Sequence, residues 1–279
     1  MIGHYRRNSP WIWRCHIDLT APSRELWDYL KGFVECYDAV VLSLPEYRRE
    51  LQAPQLFYMP AIDPFSISNR DLTEAECMER LSHYGVPDDR PIIAQVSRFD
   101  RWKDPAGVIE MFKMVRKEID ATLVLLGNAA TDDPEGAEVY ESLLKEREER
   151  IIILSEQDTA LVNAVQRKAA VVVQNSLREG FGLTVTEAMW KEMAVIGRRV
   201  GGIRHQIVDG DNGFLVDSIE EMAIRSVQLL RDEDLRRRLG IKAKETVRQK
   251  FLMTRLMGEW LDLFGSFETK FTLRSAGVQ

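Results

Sequence analysis

Between residues 91 and 197 the chain alternates short, almost unbroken apolar runs with helical patterns. The runs are Pro91–Ser97, Ala121–Gly127, Ile151–Leu154, Ala170–Gln174 and Ala194–Gly197. They are rich in β-branched residues and lack polar alternation, which is the pattern of parallel strands buried on both faces. Helical segments are read between them over 105–118, 135–149, 158–168 and 183–191. Strand–helix alternation of this kind predicts an α/β fold built on a doubly wound parallel sheet. Helix starts agree: Asp104 followed by Pro105 offers an N-cap and then a proline at the first helical position, where its missing N–H costs nothing. The 135–149 segment is dense in Glu and Arg and reads as a solvated helix face.

The first 90 residues follow a different pattern. Residues 11–20 read as a strand running into a loop, Pro22–Glu35 as a helix, Tyr37–Leu44 as a strand and Gln55–Met59 as a short strand. Pro60 and Pro64 suggest a linker over 59–71, and 73–84 reads as a helix stopped by Gly85 and Pro87. Two βα units cannot bury a doubly wound core, so this part reads as a fraction of a domain. The expected organisation is a partial N-terminal α/β domain with linker over 1–85, a Rossmann-like domain over 86–250, and a C-terminal helix and tail over 251–279 packing back on the N-terminal part. Residues 218–265 read as two or three amphipathic helices and 266–279 as frayed. Met1 is then expected to be a truncation point or an internal start.

With 38 Lys+Arg against 44 Asp+Glu, the net charge of −6 lacks the basic footprint of a nucleic-acid binder. No apolar run approaches the ~18–20 residues of a membrane span. The opening MIGHYRRNSP has no apolar core for a secretory signal. A cytoplasmic location is the expectation, with no membrane partner. Cys15, Cys36 and Cys77 are odd in number and widely spaced, fitting buried free thiols rather than a disulfide framework or a zinc site.

The chemistry concentrates in Asn175–Trp190, NSLREGFGLTVTEAMW. This segment follows a buried strand and opens a helix near Leu183. Gly180 and Gly182 let the backbone turn and approach a ligand closely. The helix start then offers N–H groups and a positive dipole end to an anion. Glu179 lies just before the turn and Glu187 one turn inside the helix, where carboxylates can accept from sugar or ribose hydroxyls. Arg98 and Lys103 follow the strand 91–97, at the strand ends where open α/β sheets bind ligands, and can neutralise a diphosphate. Each has an ordinary alternative: a Glu at a helix start compensates the dipole, a loop cation is solvated, paired glycines serve packing. Their combination in this order points to a sugar joined to a phosphate. The GxGxxG and Walker motifs are absent, which argues against dehydrogenase and NTPase chemistry.

The segment 179–187, EGFGLTVTE, resembles the E-x7-E motif of retaining GT-B glycosyltransferases of family 4. Arg98 and Lys103 match that family's basic pair, and 201–216 resembles its following strand and turn. The stretch 9–20, SPWIWRCHIDLT, is similar to the corresponding segment of the family's trehalose glycosyltransferring synthases. The resemblance implies that residues 86–250 bind a nucleotide sugar and that 1–85 is the remnant of the acceptor-side domain. It implies that Glu179 binds hydroxyls of a donor glucose. Gly180, Phe181, Gly182, Leu183 and Thr184 would hold the diphosphate through their backbone, and Arg98 and Lys103 would stabilise its charge as the bond breaks. Glu187 would bind the ribose, and Leu154 and Ser155, within 154–158, would lie at the nucleobase. His16 would touch the donor sugar, although without the resemblance it reads as a core histidine. His205 reads as a surface residue.

The implied reaction is metal-independent transfer, with retention, from a nucleoside-diphosphate glucose (UDP-, ADP- or GDP-glucose) to glucose, giving trehalose and requiring no cofactor. Trehalose phosphorylase chemistry and a non-catalytic sugar-nucleotide-binding fragment stand as alternatives. A homodimer through exposed apolar faces of residues 23–35 and the last helix is also expected.

Overall fold

The computed structural model describes residues 9–128 and 134–275. The chain forms two compact units: residues up to Ala61 together with those from Phe251 on, and Ile62–Lys250. The smaller unit begins with β1 (Ile12–Arg14), α1 (Arg24–Val34), β2 (Ala39–Leu42) and β3 (Gln55–Phe57). These strands pair in parallel in the order β1-β2-β3. Central β2, Ala-Val-Val-Leu, is buried along its whole length, as its unbroken apolar run requires. Ser23 caps α1.

The larger unit contains α2 (Glu74–His83), β4 (Ile92–Val96), α3 (Pro105–Val115), β5 (Thr122–Gly127), α4 (Pro134–Leu144), β6 (Ile151–Ser155) and α5 (Thr159–Lys168). It continues with β7 (Ala169–Gln174), α6 (Leu183–Trp190), β8 (Val195–Arg198), α7 (Ile203–Gln206), β9 (Phe214–Val216), α8 (Ile219–Arg231) and α9 (Glu233–Lys250). Its six strands are all parallel, in the order β6-β5-β4-β7-β8-β9. This is the doubly wound parallel α/β sheet that the alternation predicts. Alternate strand residues (Ile93, Leu123, Leu125, Val171, Val173, Ile196) meet Val108, Met111, Phe112 and Val115 of α3 and Met222 and Val227 of α8. The intervening residues Ala94, Val124, Leu126 and Val172 are buried too. Both faces are therefore covered, and each fully buried large apolar side chain contributes about 1.5–3 kcal/mol.

The division between units falls after Ala61, not at 85/86 as the sequence reading sets it. The reason lies in α2 and the segment before it. Thr73 and Glu76 form a reciprocal capping box on α2. Arg80 and Tyr84 both reach Asp158, the N-cap of α5, at 3.1 Å. The proline-marked segment is also tied down, because Asn163 on α5 donates to the carbonyls of Ile67 and Arg70, each at 2.9 Å.

The last helix, α10 (Met253–Ser275), packs in the smaller unit, where Leu263 and Phe267 join Ala39, Val41 and Tyr58 in one cluster. Trp260 meets Tyr58 edge to face, and Arg255 Nη2 donates to the Met59 carbonyl at 2.6 Å. Residues 266–275 are thus helical rather than frayed, because the apolar row that begins at Leu256 continues to Phe267. Residues 276–279 lie outside the described residues. Leu26 and Tyr29 on α1 and Met257, Leu261 and Phe264 on α10 are exposed. Cys15 and Cys77 are buried free thiols, whereas Cys36, at the end of α1, is only half-buried. Among the described residues no helix is long and apolar enough to cross a membrane.

Candidate functional site

The sheet extends in opposite directions from the adjacent strands β4 and β7, and it is outside the carboxyl ends of strands at such a reversal that open α/β sheets bind ligands. In the loop after β4, Asp100 accepts from the Lys103 N–H at 3.0 Å and shapes the 3-10 turn Arg101–Lys103. Asp104 then adopts a left-handed conformation, φ 44°, and caps α3 through the Gly107 N–H, with Pro105 at the first helical position. Buried Gln95, the next-to-last residue of β4, joins this loop to its neighbour. Its Nε2 donates to the Lys103 carbonyl at 3.1 Å, and its Oε1 accepts from the Asn175 N–H at 3.0 Å. Asn175 Nδ2 donates back to Asp104 Oδ2 at 2.8 Å. The two loops are locked to each other from below.

Above this lock, Lys103 Nζ pairs with Glu179 Oε2 at 2.5 Å, with side chains only 14% and 8% exposed. Ser176 Oγ donates to the same oxygen at 3.1 Å. The loop after β7 is further fixed by the Leu177 N–H, which donates to the Trp102 carbonyl at 2.7 Å, and by Arg178 over the Trp102 ring. Arg98 behaves differently. It pairs with Asp100 at 2.8 Å and is largely exposed, so the expected basic pair is split between two carboxylates.

Gly182 is the N-cap of α6, with φ +85°, and no side chain caps this helix. That left-handed conformation favours glycine, and it turns the chain so that the first amides of α6 follow closely on Glu179. Phe181 is buried, and its carbonyl accepts from Gln206 Nε2 at 2.6 Å. Gln206 in turn accepts from Thr186 Oγ1 at 2.7 Å. The Thr184 carbonyl accepts from Gln166 Nε2 at 3.0 Å. Gly201, at φ +43°, closes the rear of the turn: a Cβ there would lie 1.7 Å from the Glu179 carbonyl oxygen. Gly180 is half-buried on the same turn.

Glu187 lies in the second turn of α6, half-buried. Burial pushes its carboxyl upward, against the opposing pull of Lys191 and a hydrogen bond from Ser68. Lys191, just past α6, is 4% exposed. Its Nζ donates to Asn69 Oδ1 at 3.1 Å, Gln166 Oε1 at 2.8 Å and the Glu187 carbonyl at 3.1 Å. Burial pulls its pKa down to about 7.

Leu154 and Ser155 end β6, opposite Leu126 and Gly127, and are half-buried. His16 follows β1 in the smaller unit and is exposed, which removes the core-histidine alternative. Partial desolvation and the neighbouring Arg14 lower its pKa. His205, in α7, is exposed as expected. Among the described residues no three His, Cys, Asp or Glu side chains group as a metal would need. Of the expected site residues, the structure brings together Lys103, Glu179 and the 180–184 turn. Gln95, Asn69 and Lys191 were missed, although a glutamine inside IIAQV and a lysine inside AMWKEMAVIG both break apolar runs.

The Glycosyl transferases group 1 family matches residues 80–246, and the family described as Trehalose synthase, N-terminal domain, matches residues 1–49. A trehalose synthase of Pyrococcus horikoshii is 45% identical over 274 residues, covering 95% of this chain and 66% of that protein. The chain thus spans about two thirds of the length of the curated relatives it matches. Among solved structures, the sucrose-phosphate synthase of Thermosynechococcus elongatus superposes with a TM-score of 0.79 at 21% identity, covering 96% of this chain and 70% of that one. Anabaena HepE, in complex with UDP and glucose, gives 0.77 at 18% identity over 92% of this chain and 72% of that one. These two share the fold, and the matched sequence fixes the family: this chain belongs to the group 1 glycosyl transferases.

Proposed function

We propose that this chain binds a nucleoside-diphosphate glucose on its larger unit and transfers the glucose, with retention of configuration, to free glucose to form trehalose. One observation carries the proposal. The Lys103–Glu179 ion pair stands beside the start of α6, which no side chain caps, so a cation, a carboxylate and helix-terminal amides meet in one place. A sugar diphosphate requires that combination. A helix start carries roughly +0.5 elementary charge, and Lys103 and Arg98 add cations for the departing diphosphate. Glu179 accepts from hydroxyls of the donor glucose, Glu187 from those of the ribose, and Leu154 and Ser155 border the nucleobase. His16 is read as a further contact of the donor sugar.

In the chemical step the bond from C1 to the diphosphate oxygen breaks and a bond from C1 to the acceptor hydroxyl oxygen forms on the same face. The acceptor's proton passes to the departing phosphate oxygen. The protein's task is to stabilise the charge that gathers on the diphosphate, in a site whose dipoles are already oriented. The lock through Gln95 and Asn175 supplies that preorganisation.

Calorimetry with UDP, ADP, GDP and their glucose conjugates, paired with a trehalose assay, tests the proposal. Binding of one family of nucleotides together with trehalose release is expected. Absence of nucleotide binding by folded protein refutes the site. Trehalose made from maltose without nucleotide refutes the reaction, and binding without turnover leaves a nucleotide-sugar-binding module. A trehalose phosphorylase would use phosphate and lose little affinity on Glu187→Ala. A homodimer through the exposed faces of α1 and α10 belongs to the same proposal, and a monomer in sedimentation equilibrium at two concentrations refutes it.

A further inference from the structure

Lys191 plays no part in the chemistry just described, yet it is among the most deeply buried charged side chains of the larger unit. A buried ammonium is costly, and a packed apolar side chain of similar size would carry no such cost. All three of its N–H donors are spent, on Asn69 Oδ1, Gln166 Oε1 and the Glu187 carbonyl, at 2.8–3.1 Å. These acceptors come from three different segments: the 62–71 loop, α5 and α6.

We propose that Lys191 is a positioning residue for Glu187: its ammonium clamps the 62–71 loop and α5 onto the turn of α6 that carries Glu187. The inference rests on reading Glu187 as the acceptor for ribose hydroxyls. On the loop side, Asn69 is 2% exposed, and its Nδ2 donates to the Asp63 carbonyl at 3.0 Å and to Ser66 Oγ at 3.1 Å. Ser66 Oγ in turn donates to the Asp63 carbonyl at 2.9 Å and lies 3.1 Å from Ser68 Oγ, so the loop is tied together at the residue Lys191 grips. On the helix side, Gln166 accepts from Lys191 and donates to the Thr184 carbonyl in the first turn of α6.

The positive charge has its own role. The Glu187 carboxylate is poorly hydrated, and Lys191 is the cation that favours its ionised form. Arg167, the other cation acting on Lys191, is engaged with Asp71 at 2.9 Å and with Asn163. Removing Lys191 therefore loosens the loop and leaves Glu187 inclined to protonate. A protonated carboxyl is a poorer acceptor for a ribose diol.

The test is calorimetry on the whole chain, below pH 7 where Lys191 keeps its charge, with UDP, 2′,3′-dideoxy-UDP and inorganic pyrophosphate. In the wild type UDP should bind about 10–100-fold tighter than the dideoxy analogue, as hydrogen bonds to a charged acceptor imply. Lys191→Met should bring that ratio close to one and leave pyrophosphate affinity within about twofold, a selective change that general destabilisation would not produce. In a Glu187→Gln background, Lys191→Met should lower the ratio no further. Asn69→Ala, which keeps the cation and breaks the clamp from the loop side, should also reduce the ratio, and it carries the test if Lys191→Met does not fold. A folded Lys191→Met, or in its place Asn69→Ala, that keeps the wild-type ratio overturns the inference while the ribose reading stands. A wild-type ratio of one overturns the ribose reading itself, and the inference with it.

Discussion

Replacing Lys103 by methionine separates a working ion pair from a surface contact. The substitution keeps most of the stem volume and removes the charge that pairs with Glu179, 8% exposed, while the hydrogen bond from Ser176 Oγ stays. Removing one partner of a fully buried pair costs about 3–5 kcal/mol, because the other charge stays desolvated. Lys103 is 14% exposed and Ser176 remains, so the cost here is expected at about 2–3 kcal/mol. In a unit of this size that lowers the melting temperature by about 4–12 °C. The assay is urea unfolding followed by circular dichroism, with a shifted midpoint and an unchanged slope. Lys103→Met combined with Glu179→Gln should be more stable than Lys103→Met alone, since the buried carboxylate that lost this ion pair is then neutral. A loss below about 0.5 kcal/mol, the range of exposed pairs, would refute the burial argument. In ligand titrations Lys103→Ala should weaken diphosphates by about 1–3 kcal/mol and leave a free nucleoside unaffected. Equal losses for both ligands would contradict the role given to Lys103.

Further tests address other parts of the molecule. Gly201→Ala combines φ +43° with a Cβ placed 1.7 Å from the Glu179 carbonyl oxygen, so the turn must shift; we expect at least about 2 kcal/mol of lost stability and a loss of nucleotide binding, read by melts and calorimetry. Lys191 titrates near 7 when folded and at 10.5 in the unfolded chain. Its penalty is therefore complete below pH 7 and disappears as the pH rises toward 10.5, with a slope approaching about 1.4 kcal/mol per pH unit. Glu187, raised above 4.5, has the opposite sign and acts at lower pH. Urea midpoints from pH 7.5 to 9.5 should rise more steeply in the wild type than in Lys191→Met, and parallel curves would refute the assignment. Thr73→Ala breaks the capping box on α2 and should cost about 0.5–2 kcal/mol while nucleotide affinity stays unchanged.

The sequence carries the sheet openly because its strands β4, β5, β7 and β8 are nearly unbroken apolar runs that suit a two-sided interior, and edge strand β6 shares the run while burying one side less fully. β9 shows only through the resemblance of 201–216 to a strand and turn, since three residues, Phe214–Val216, are too few to show a period. The sequence conceals the true division between units. Pro60 and Pro64 look like punctuation, but side chains of α5, nearly a hundred residues further on, hold the segment in place. The E-x7-E segment was legible through its glycines and carboxylates. The pairing of Lys103 with Glu179, and of Arg98 with Asp100, was not, because the choice between two carboxylates depends on the turn that Asp100 itself makes. Lys191 escaped notice because a lone lysine in a helix is ordinarily a solvated one, and only tertiary packing reveals its three acceptors.

The amide of Gln95 has a consequence for timescale. A loop that closes over a ligand ordinarily opens by itself, at little cost, many times for each unfolding of its domain. Here the Asn175 N–H ends on a side chain rooted in the centre of the sheet, and the Lys103 carbonyl ends on the same side chain. Neither loop can lift without stripping β4 of a buried partner. Deuterium should therefore enter the Asn175 amide only in the rare events that part β4 from β7. The amide of an open site would then exchange at the slow rate of the core, long before any nucleotide has arrived to protect it.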